Sequence, residues 1–211
     1  MSSAGSRAVS HAVAEPAWLA PHDLADPALR AEVVRVVQAV VAAGGAVGWV
    51  AVPPPEEVLG WLGDALAGGT RAVVVRVAGR IEALGTWRRR EGAVVARIGV
   101  VQRVMAHPDA RGLGLGPRVV QALLGDALGS GVEVLTLACR GNNHAALAVY
   151  AGAGFLEYGR LPDALAVDSH RFDEVLLSVR LQQPKGAVCH GSSATGPGAS
   201  TRRRSRSEDG P

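Results

Sequence analysis

The sequence feature that most constrains the fold is a glycine-rich run, HPDARGLGLGP, at residues 107–117. It separates a stretch rich in β-branched residues (93–106) from one in which apolar residues recur at helical spacing (118–128). In a strand–loop–helix unit of this kind, the first N–H groups of the helix have no acceptor and carry partial positive charge. A phosphate can approach them closely where side chains are missing, so the run predicts an anion-binding loop. An ordinary glycine-rich turn remains the alternative.

Two nucleotide-binding loops do not fit this run. A P-loop ends in Gly-Lys-Ser/Thr, which the sequence does not have there. A dinucleotide-binding loop needs the spacing Gly-x-Gly-x-x-Gly, whereas the glycines here are Gly112, Gly114 and Gly116. It also needs an acidic residue at the far end of the following strand, and Glu133 stands at the near end. The run therefore predicts a different kind of phosphate site.

The order of the predicted elements indicates an α/β (α+β) fold. Asp26 before Pro27 is typical of a helix start and Gly44 of its end, and a second helix follows the prolines at 53–55. Three strand-like runs then form an antiparallel meander, and Gly99 in the third predicts a bend or bulge. A helix joins this third run to the next strand, so the two can lie parallel and side by side. The predicted strands cover 46–52 (a short extended stretch), 71–78, 81–90, 93–106, 132–139, 155–161 and 172–181, and the predicted helices 27–43, 56–67, 117–128 and 142–154.

These elements predict one domain at 17–181, built on a mixed and mostly antiparallel sheet. Hydrophobic residues make up 48% of the 211-residue chain, enough for one sizeable core. The flanking segments 1–16 and 182–211 are small, polar or rich in Gly, Ser and Arg, and we expect them to be disordered. Much of the positive charge lies in the second, so the net charge of +3 does not predict a nucleic-acid partner. Cys139 and Cys189 give neither a disulfide framework nor a metal-binding spacing, so the reducing cytoplasm is the expected location. No apolar run in the sequence suits a membrane span.

Two blocks of the sequence follow the motifs of one protein family at the spacing which that family uses. The family pattern Arg/Gln-x-x-Gly-x-Gly/Ala, between a bent strand and a helix, is matched by Arg111, Gly114 and Gly116, with Pro108 where the family often has a proline. A second block further along has an Asn, an Ala, a Tyr and a Gly-Phe pair at the family's spacing. Its members are Asn143, Ala146, Tyr150, Gly154 and Phe155. In these two blocks the sequence resembles the GNAT superfamily of N-acetyltransferases, over about residues 17 to 181. The resemblance implies the GNAT fold, a mixed and mostly antiparallel sheet with helices on both faces, in which one parallel strand pair flanks the acyl-CoA site.

The resemblance also implies acetyl-CoA as co-substrate, without a metal. The amides of residues 111–116 would hold its diphosphate, and the bent strand at 104–106 would pair with the pantetheine arm and stabilise the oxyanion of the thioester carbonyl. Asn143 would contact the pantetheine or the diphosphate, while Asn142 is expected to cap a helix. Tyr150 would protonate the leaving thiolate, because a phenol and a thiol both titrate well above neutral pH. The implied cofactor-binding residues are Val104, Met105, Ala106, Arg111, Gly112, Leu113, Gly114, Leu115, Gly116 and Asn143, and the implied catalytic residue is Tyr150.

The resulting hypothesis is an N-acetyltransferase that moves an acetyl group directly from acetyl-CoA to an amine acceptor, either a small molecule or a peptide or protein. A homodimer is compatible with it. The acceptor is expected between the first two helices and the strand ends, where Trp49 is either packing or a pocket wall. No carboxylate lies on the strand before the glycine run, so no general base is assigned. Three alternatives stay open. Tyr150 is a packing residue, or the chain is a non-catalytic acyl-CoA-binding or sensing module on the same fold, or the arginine-rich tail recruits nucleic acid or an acidic partner.

Overall fold

The computed structural model describes residues 15–45 and 47–182. They form seven strands, β1 (Ala17–Leu19), β2 (Arg71–Val77), β3 (Arg80–Arg89), β4 (Ile98–Ala106), β5 (Val134–Arg140), β6 (Leu156–Val167) and β7 (His170–Arg180), and four helices, α1 (Pro27–Ala42), α2 (Pro55–Ala67), α3 (Leu115–Gly129) and α4 (His144–Gly152). The strands make one sheet in the order β1-β2-β3-β4-β5-β7-β6, in which β4 and β5 are the parallel pair. The predicted fold class is therefore confirmed. Residues 1–14 and 183–211, which the sequence predicts to be disordered, lie outside the described part.

Each face of the sheet carries its own apolar core. On one face α1 and α2 pack against the sheet, and Val33, Val36 and Val37 of α1 are fully buried, as their helical spacing predicts. On the other face α3 and α4 cover the sheet, with Val119 and Leu123 fully buried. A sheet with a parallel pair at its centre needs such cover on both faces. None of the helices in the described segments is long and apolar enough to cross a bilayer.

The start of α1 follows the sequence signal. The Asp26 carboxylate accepts a hydrogen bond from the Ala28 amide at 2.8 Å, and Pro27 occupies the first helical position. Both features satisfy or remove N–H groups that would otherwise have no acceptor. After the helix, Gly44 takes the left-handed φ of +77° that ends it.

Helix α3 packs directly on the backbone of β3. A Cβ at Gly85 would lie 2.4 Å from Cγ1 of Val119, so a side chain there would push the helix away from the sheet. This close approach places the start of α3 beside the end of β4, where the glycine-rich loop joins them.

The parallel pair is short, and it opens into a wedge. Residues 98–100 of β4 pair with 134–136 of β5, and pairing stops there. Strand β4 continues to Ala106 and β5 to Arg140 without meeting each other. Over residues 101–106, the edge of β4 that faces β5 therefore has no strand partner in the described part of the chain, and its backbone groups are open to a ligand.

The bend in β4 is a β-bulge at Arg103 and Val104, not at Gly99. The β3–β4 register shifts there, so two residues of β4 oppose one of β3, and Arg103 has a left-handed φ of +51°. Gly99 is required for a different reason, because a Cβ would lie 2.6 Å from Cδ2 of Leu135 and 3.1 Å from Cε3 of Trp87. The expectation of a bulge at Gly99 is therefore wrong; that glycine makes room in the core.

Several strand boundaries also differ from the sequence predictions. The short edge strand β1 was not predicted, and 47–52 is a bent loop rather than an extended stretch. Residues 93–95 form a single 3-10 turn, so β4 begins later than predicted. Strands β6 and β7 are longer than predicted and form one hairpin. Most of β6 is exposed, and an exposed edge strand does not need the apolar alternation from which strands are predicted.

Candidate functional site

The end of β4, the glycine-rich loop and α4 enclose a cavity of about 520 Å³, which we refer to as the β4–α4 cleft. Most of the predicted site residues line it: Val104, Met105, Ala106, Arg111, Gly112, Gly114, Leu115, Gly116 and Tyr150. Two do not. Leu113 lines a neighbouring pocket beside Arg35 and His107, and Asn143 stands at the start of α4, outside the lining.

The loop presents a row of free backbone donors. The amides of residues 112–116 donate no hydrogen bond to any described residue. Arg111 differs, because its N–H donates to the Pro108 carbonyl at 3.2 Å. Gly112 and Gly114 have φ of +83° and +69°, and a Cβ on either would meet no atom within 4 Å, so both face open space. Free amides at the start of a helix, unshielded by side chains, are an arrangement that binds phosphate.

The end of β4 presents a further donor to the wedge. The His107 amide donates to the Glu82 carbonyl at 2.7 Å, toward β3. Because N–H directions alternate along a strand, the Ala106 N–H points the other way, toward the gap between β4 and β5. An extended ligand in this gap can pair with β4 as another strand would.

Tyr150 of α4 lines the same cleft and is 8% exposed. Its ring packs edge-on against Phe155, with 5.8 Å between the ring centroids. Burial raises the pKa of the phenol, and the nearby Cys139 thiol raises it further. The hydroxyl is therefore protonated at neutral pH and can act as a proton donor, while the ring contributes to the core.

Asn143 caps helix α4. Its side-chain Oδ1 accepts a hydrogen bond from the Ala146 amide at 3.2 Å. The expectation that Asn142 is the cap is therefore wrong by one residue, because the described helix begins at His144 rather than before it. The cap does not use the side-chain nitrogen of Asn143.

A second cavity, of about 540 Å³, lies at the ends of β5 and β7, and we refer to it as the β5–β7 pocket. The loop between α1 and α2, the end of β5, part of β6 and Glu174 of β7 line it, where the sequence places the acceptor. Cys139 also lines it, and burial raises the pKa of its thiol to about 11. Cys139 is also close enough to Tyr150 of the β4–α4 cleft for its charge to raise the pKa of the phenol.

Trp49 forms part of the pocket wall and is held by several contacts. The Arg103 guanidinium stacks 3.7 Å from its ring centroid and 4.3 Å from that of Trp61. The Trp49 indole N–H donates to Oε1 of Glu57 at 2.6 Å. Burial lowers the pKa of Arg103, an effect that the Glu57 carboxylate opposes. Trp49 is thus both packed against its neighbours and part of the pocket wall, so the two alternatives from the sequence do not exclude each other.

Among the acidic residues of the described segments, Glu174 is the one that lines the β5–β7 pocket. Glu82 lies elsewhere and accepts from Nη2 of Arg35 at 3.0 Å. Asp173 accepts from Nη1 of Arg160 at 3.0 Å, and this hydrogen bond lowers the pKa of its carboxyl. Sequence reasoning did not single out Glu174 from its acidic neighbours, because only the β5–β7 pairing shows which of them faces the pocket.

Comparisons with known proteins agree with this geometry. The profile of the acetyltransferase (GNAT) family matches residues 41–155, more than half of the chain. A comparison with curated protein sequences gives no match.

Solved structures show the same fold. The ribosomal-protein-alanine N-acetyltransferase of Brucella melitensis is 20% identical with a TM-score of 0.66, over 80% of this chain and all of that one. The protein yncA of Salmonella typhimurium, whose structure contains its cofactor acetyl-CoA, is 16% identical with a TM-score of 0.68, over 84% of this chain and 98% of that one. An N-acetyltransferase of Staphylococcus aureus Mu50 is 13% identical with a TM-score of 0.67, over 80% of this chain and all of that one.

A mixed sheet that splits at its parallel pair, beside a glycine-rich loop and a helix start, defines an acetyltransferase fold. This chain belongs to the acetyltransferase (GNAT) family.

Proposed function

We propose that this protein is an N-acetyltransferase that moves an acetyl group from acetyl-CoA to an amine. The observation that carries the proposal is the row of amides at 112–116 that have no partner among residues 15–45 and 47–182, in one cleft with the open edge of β4 and with Tyr150. These features match three needs of acyl transfer from a coenzyme A thioester: an anion site for the diphosphate, a donor for the carbonyl oxygen and an acid for the sulfur.

The residues present fit acetyl-CoA. The amides of 112–116 would hold the diphosphate, because they have no partner in the described chain and their glycines leave room. The backbone at 104–106 would pair with the pantetheine arm, and the side chains of Arg111 and Asn143 would add contacts. When bound, acetyl-CoA supplies an acetyl thioester, whose carbonyl carbon bonds to the acceptor nitrogen while the carbon–sulfur bond breaks. The Ala106 N–H would donate to the negative charge that develops on the carbonyl oxygen.

Tyr150 would donate the proton that the departing sulfur takes up, since burial keeps the phenol protonated. Cys139 would take no covalent part. With a thiol pKa of about 11, it is a thiolate in only about one molecule in ten thousand at neutral pH, and the thiolate is the nucleophilic form. The acetyl group therefore passes directly to the amine.

The proposal also covers the bounds of the catalytic domain, the cellular compartment and the partners of the reaction. Residues 17–181 form the transferase domain, and 1–16 and 182–211 are flanking segments. The reaction takes place in the cytoplasm, without a metal and without a nucleic-acid or membrane partner. A homodimer is compatible with the proposal, because every residue invoked belongs to a single chain.

Replacing Tyr150 by phenylalanine tests the chemistry. We expect Tyr150→Phe to lower kcat about 10²- to 10⁴-fold, the range for loss of a general acid, while the Kd for coenzyme A changes less than about twofold. Thiol release from acetyl-CoA over a panel of amines, peptides and amino acids measures the first, and calorimetric titration the second. Tyr158→Phe is the matched control, since Tyr158 is 59% exposed on β6.

Two outcomes would count against parts of the proposal. Unchanged kinetics in Tyr150→Phe would remove the phenol from the reaction. A protein that binds coenzyme A but acetylates no amine would instead be a non-catalytic acyl-CoA-binding module.

A further inference from the structure

The β5–β7 pocket contains two opposite charges that do not meet. Arg140 and Glu174 are Cα partners in the β5–β7 pair, and both line the pocket. Side chains directly opposite in antiparallel strands start about 4.5–5.5 Å apart, close enough to form an ion pair. Within the described segments neither residue makes one, with the other or with any third residue.

The contacts of Arg140 hold its guanidinium in place without neutralising it. Its Nη2 donates to the Gly44 carbonyl at 3.1 Å, and the guanidinium stacks 4.9 Å from the Phe172 ring centroid. Its Nε is buried and has no acceptor among residues 15–45 and 47–182. Nη1 makes no hydrogen bond to these residues either and, unlike Nε, is accessible, so it can donate to an anion in the pocket.

The rest of the pocket is largely apolar and of small-molecule size. Its apolar walls come from the α1–α2 loop and from β6, and they include Trp49, Val50, Leu165 and Val167. A cavity of about 540 Å³ is in the range of small-ligand sites. Cys139, the residue next to Arg140 on β5, lines this pocket and lies close to Tyr150 of the β4–α4 cleft, whose phenol pKa it raises. A molecule held by Arg140 and Glu174 therefore stands beside the cleft in which transfer is proposed.

We propose that the acceptor is a free α-amino acid with an apolar side chain. Its carboxylate binds Arg140, its amino group donates to the Glu174 carboxylate, and its side chain lies against Trp49 and Leu165. In an α-amino acid a single carbon atom separates the ammonium from the carboxylate. Arg140 and Glu174 stand directly opposite each other, so they can bind these two groups at the same time. This assignment rests on the proposed N-acetyltransferase function and narrows its substrate.

The reaction balances for such an acceptor. The α-ammonium loses one proton to solvent and a second that ends on the coenzyme A sulfur. The nitrogen gains the acetyl carbon as the carbon–sulfur bond breaks, and the carboxylate is unchanged. The product is an N-acetyl amino acid that has lost its positive charge, so it no longer matches Glu174 and leaves.

The test compares leucine with two analogues, leucinamide and isopentylamine, which keep the amine but have no carboxylate. Loss of a hydrogen bond to a charged group lowers binding about 10- to 100-fold. We therefore expect kcat/KM of the full chain for leucine to exceed that for either analogue by about this factor. Arg140→Gln should remove the difference, mainly through KM, and Arg140→Lys should restore part of it. Arg88→Gln, at an exposed position on β3, is the matched control and should behave as the parent.

The same experiment includes the results that would overturn the inference. Equal rates for leucine, leucinamide and isopentylamine in the parent protein would contradict the α-amino acid assignment and leave the N-acetyltransferase function standing. Binding of coenzyme A with no transfer to any amine would contradict the function itself. If Arg140→Gln fails to fold, as judged by its thermal unfolding, the leucine-to-leucinamide ratio of the parent still decides.

Discussion

Replacing Gly114 by alanine separates binding of the diphosphate from folding, because the chain offers a matched control. Gly114 and Gly131 both have left-handed φ, of +69° and +77°, and a Cβ on either would meet no atom within 4 Å. Alanine in this conformation costs about 1–2 kcal/mol, partly offset by the smaller backbone entropy of the unfolded chain. We therefore expect both Gly114→Ala and Gly131→Ala to lower the free energy of unfolding by about 1 kcal/mol.

The two glycines differ in where the added methyl group would stand. Gly114 is the residue before α3 and lines the β4–α4 cleft, whereas Gly131 lies beyond the other end of this 15-residue helix, about 22 Å away. A methyl group at Gly114 would keep a phosphate away from the free amides. Each hydrogen bond lost to a charged group is worth about 1.5–3 kcal/mol, so the Kd for coenzyme A should rise at least about tenfold in Gly114→Ala and stay unchanged in Gly131→Ala.

Urea unfolding gives the stability of both variants, and calorimetric titration with coenzyme A gives their affinity. The comparison holds only if the two unfolding curves shift alike, which the matched backbone angles lead us to expect. If the two variants then bind coenzyme A equally well, the amides of 112–116 do not hold the diphosphate, and the reasoning from the loop geometry fails.

Two further perturbations test the burial of single residues. Burial raises the pKa of the Cys139 thiol from 9.0 to about 11, so its contribution to stability is complete below pH 9 and disappears as the pH rises through about 11. Between these values the parent should lose about 2–3 kcal/mol more unfolding free energy than Cys139→Ala in urea titrations at stepped pH, and equal losses would show that the thiol is not buried. Gly85→Ala should lower the free energy of unfolding by about 1–3 kcal/mol, because its Cβ would lie 2.4 Å from Cγ1 of Val119. In a double variant with Val119→Ala, the loss should be smaller than the sum of the two single losses, and additive losses would contradict the contact.

The features that the sequence predicts well depend on residues close together in the chain. Asp26 and Pro27 mark the start of α1, and the glycines of 112–116 mark a loop whose amides are free. Tyr150 lies on a helix, as its sequence window predicts, and lines the cleft, whereas its role comes from the family resemblance and stays a prediction. In each of these cases local backbone preference and the tertiary structure agree, so one sequence window contains the information.

The features that the sequence does not predict depend on how strands pair. The bulge at Arg103 comes from the register between β3 and β4, and Gly99 in the same strand looks like a better candidate until its core neighbours are known. The position of Arg140 opposite Glu174 likewise exists only once β5 and β7 are paired. Asn143 rather than Asn142 caps α4, a difference of one residue that only the helix start decides.

An uncovered strand edge normally invites another chain to add to it, which is a route to aggregation. In this protein such an edge, residues 101–106 of β4, lies in the interior of the sheet rather than at its margin. The gap lies between β4 and β5, which remain paired at 98–100 and 134–136, so this edge does not run along the outside of the sheet. The outer margin, β6, carries Glu157 and Arg160, hydrogen-bonded to each other, and charged side chains discourage strand addition there. The backbone donors of β4 are thus available to a thin ligand. Because they do not lie at a margin of the sheet, they do not offer other molecules an edge for polymerisation.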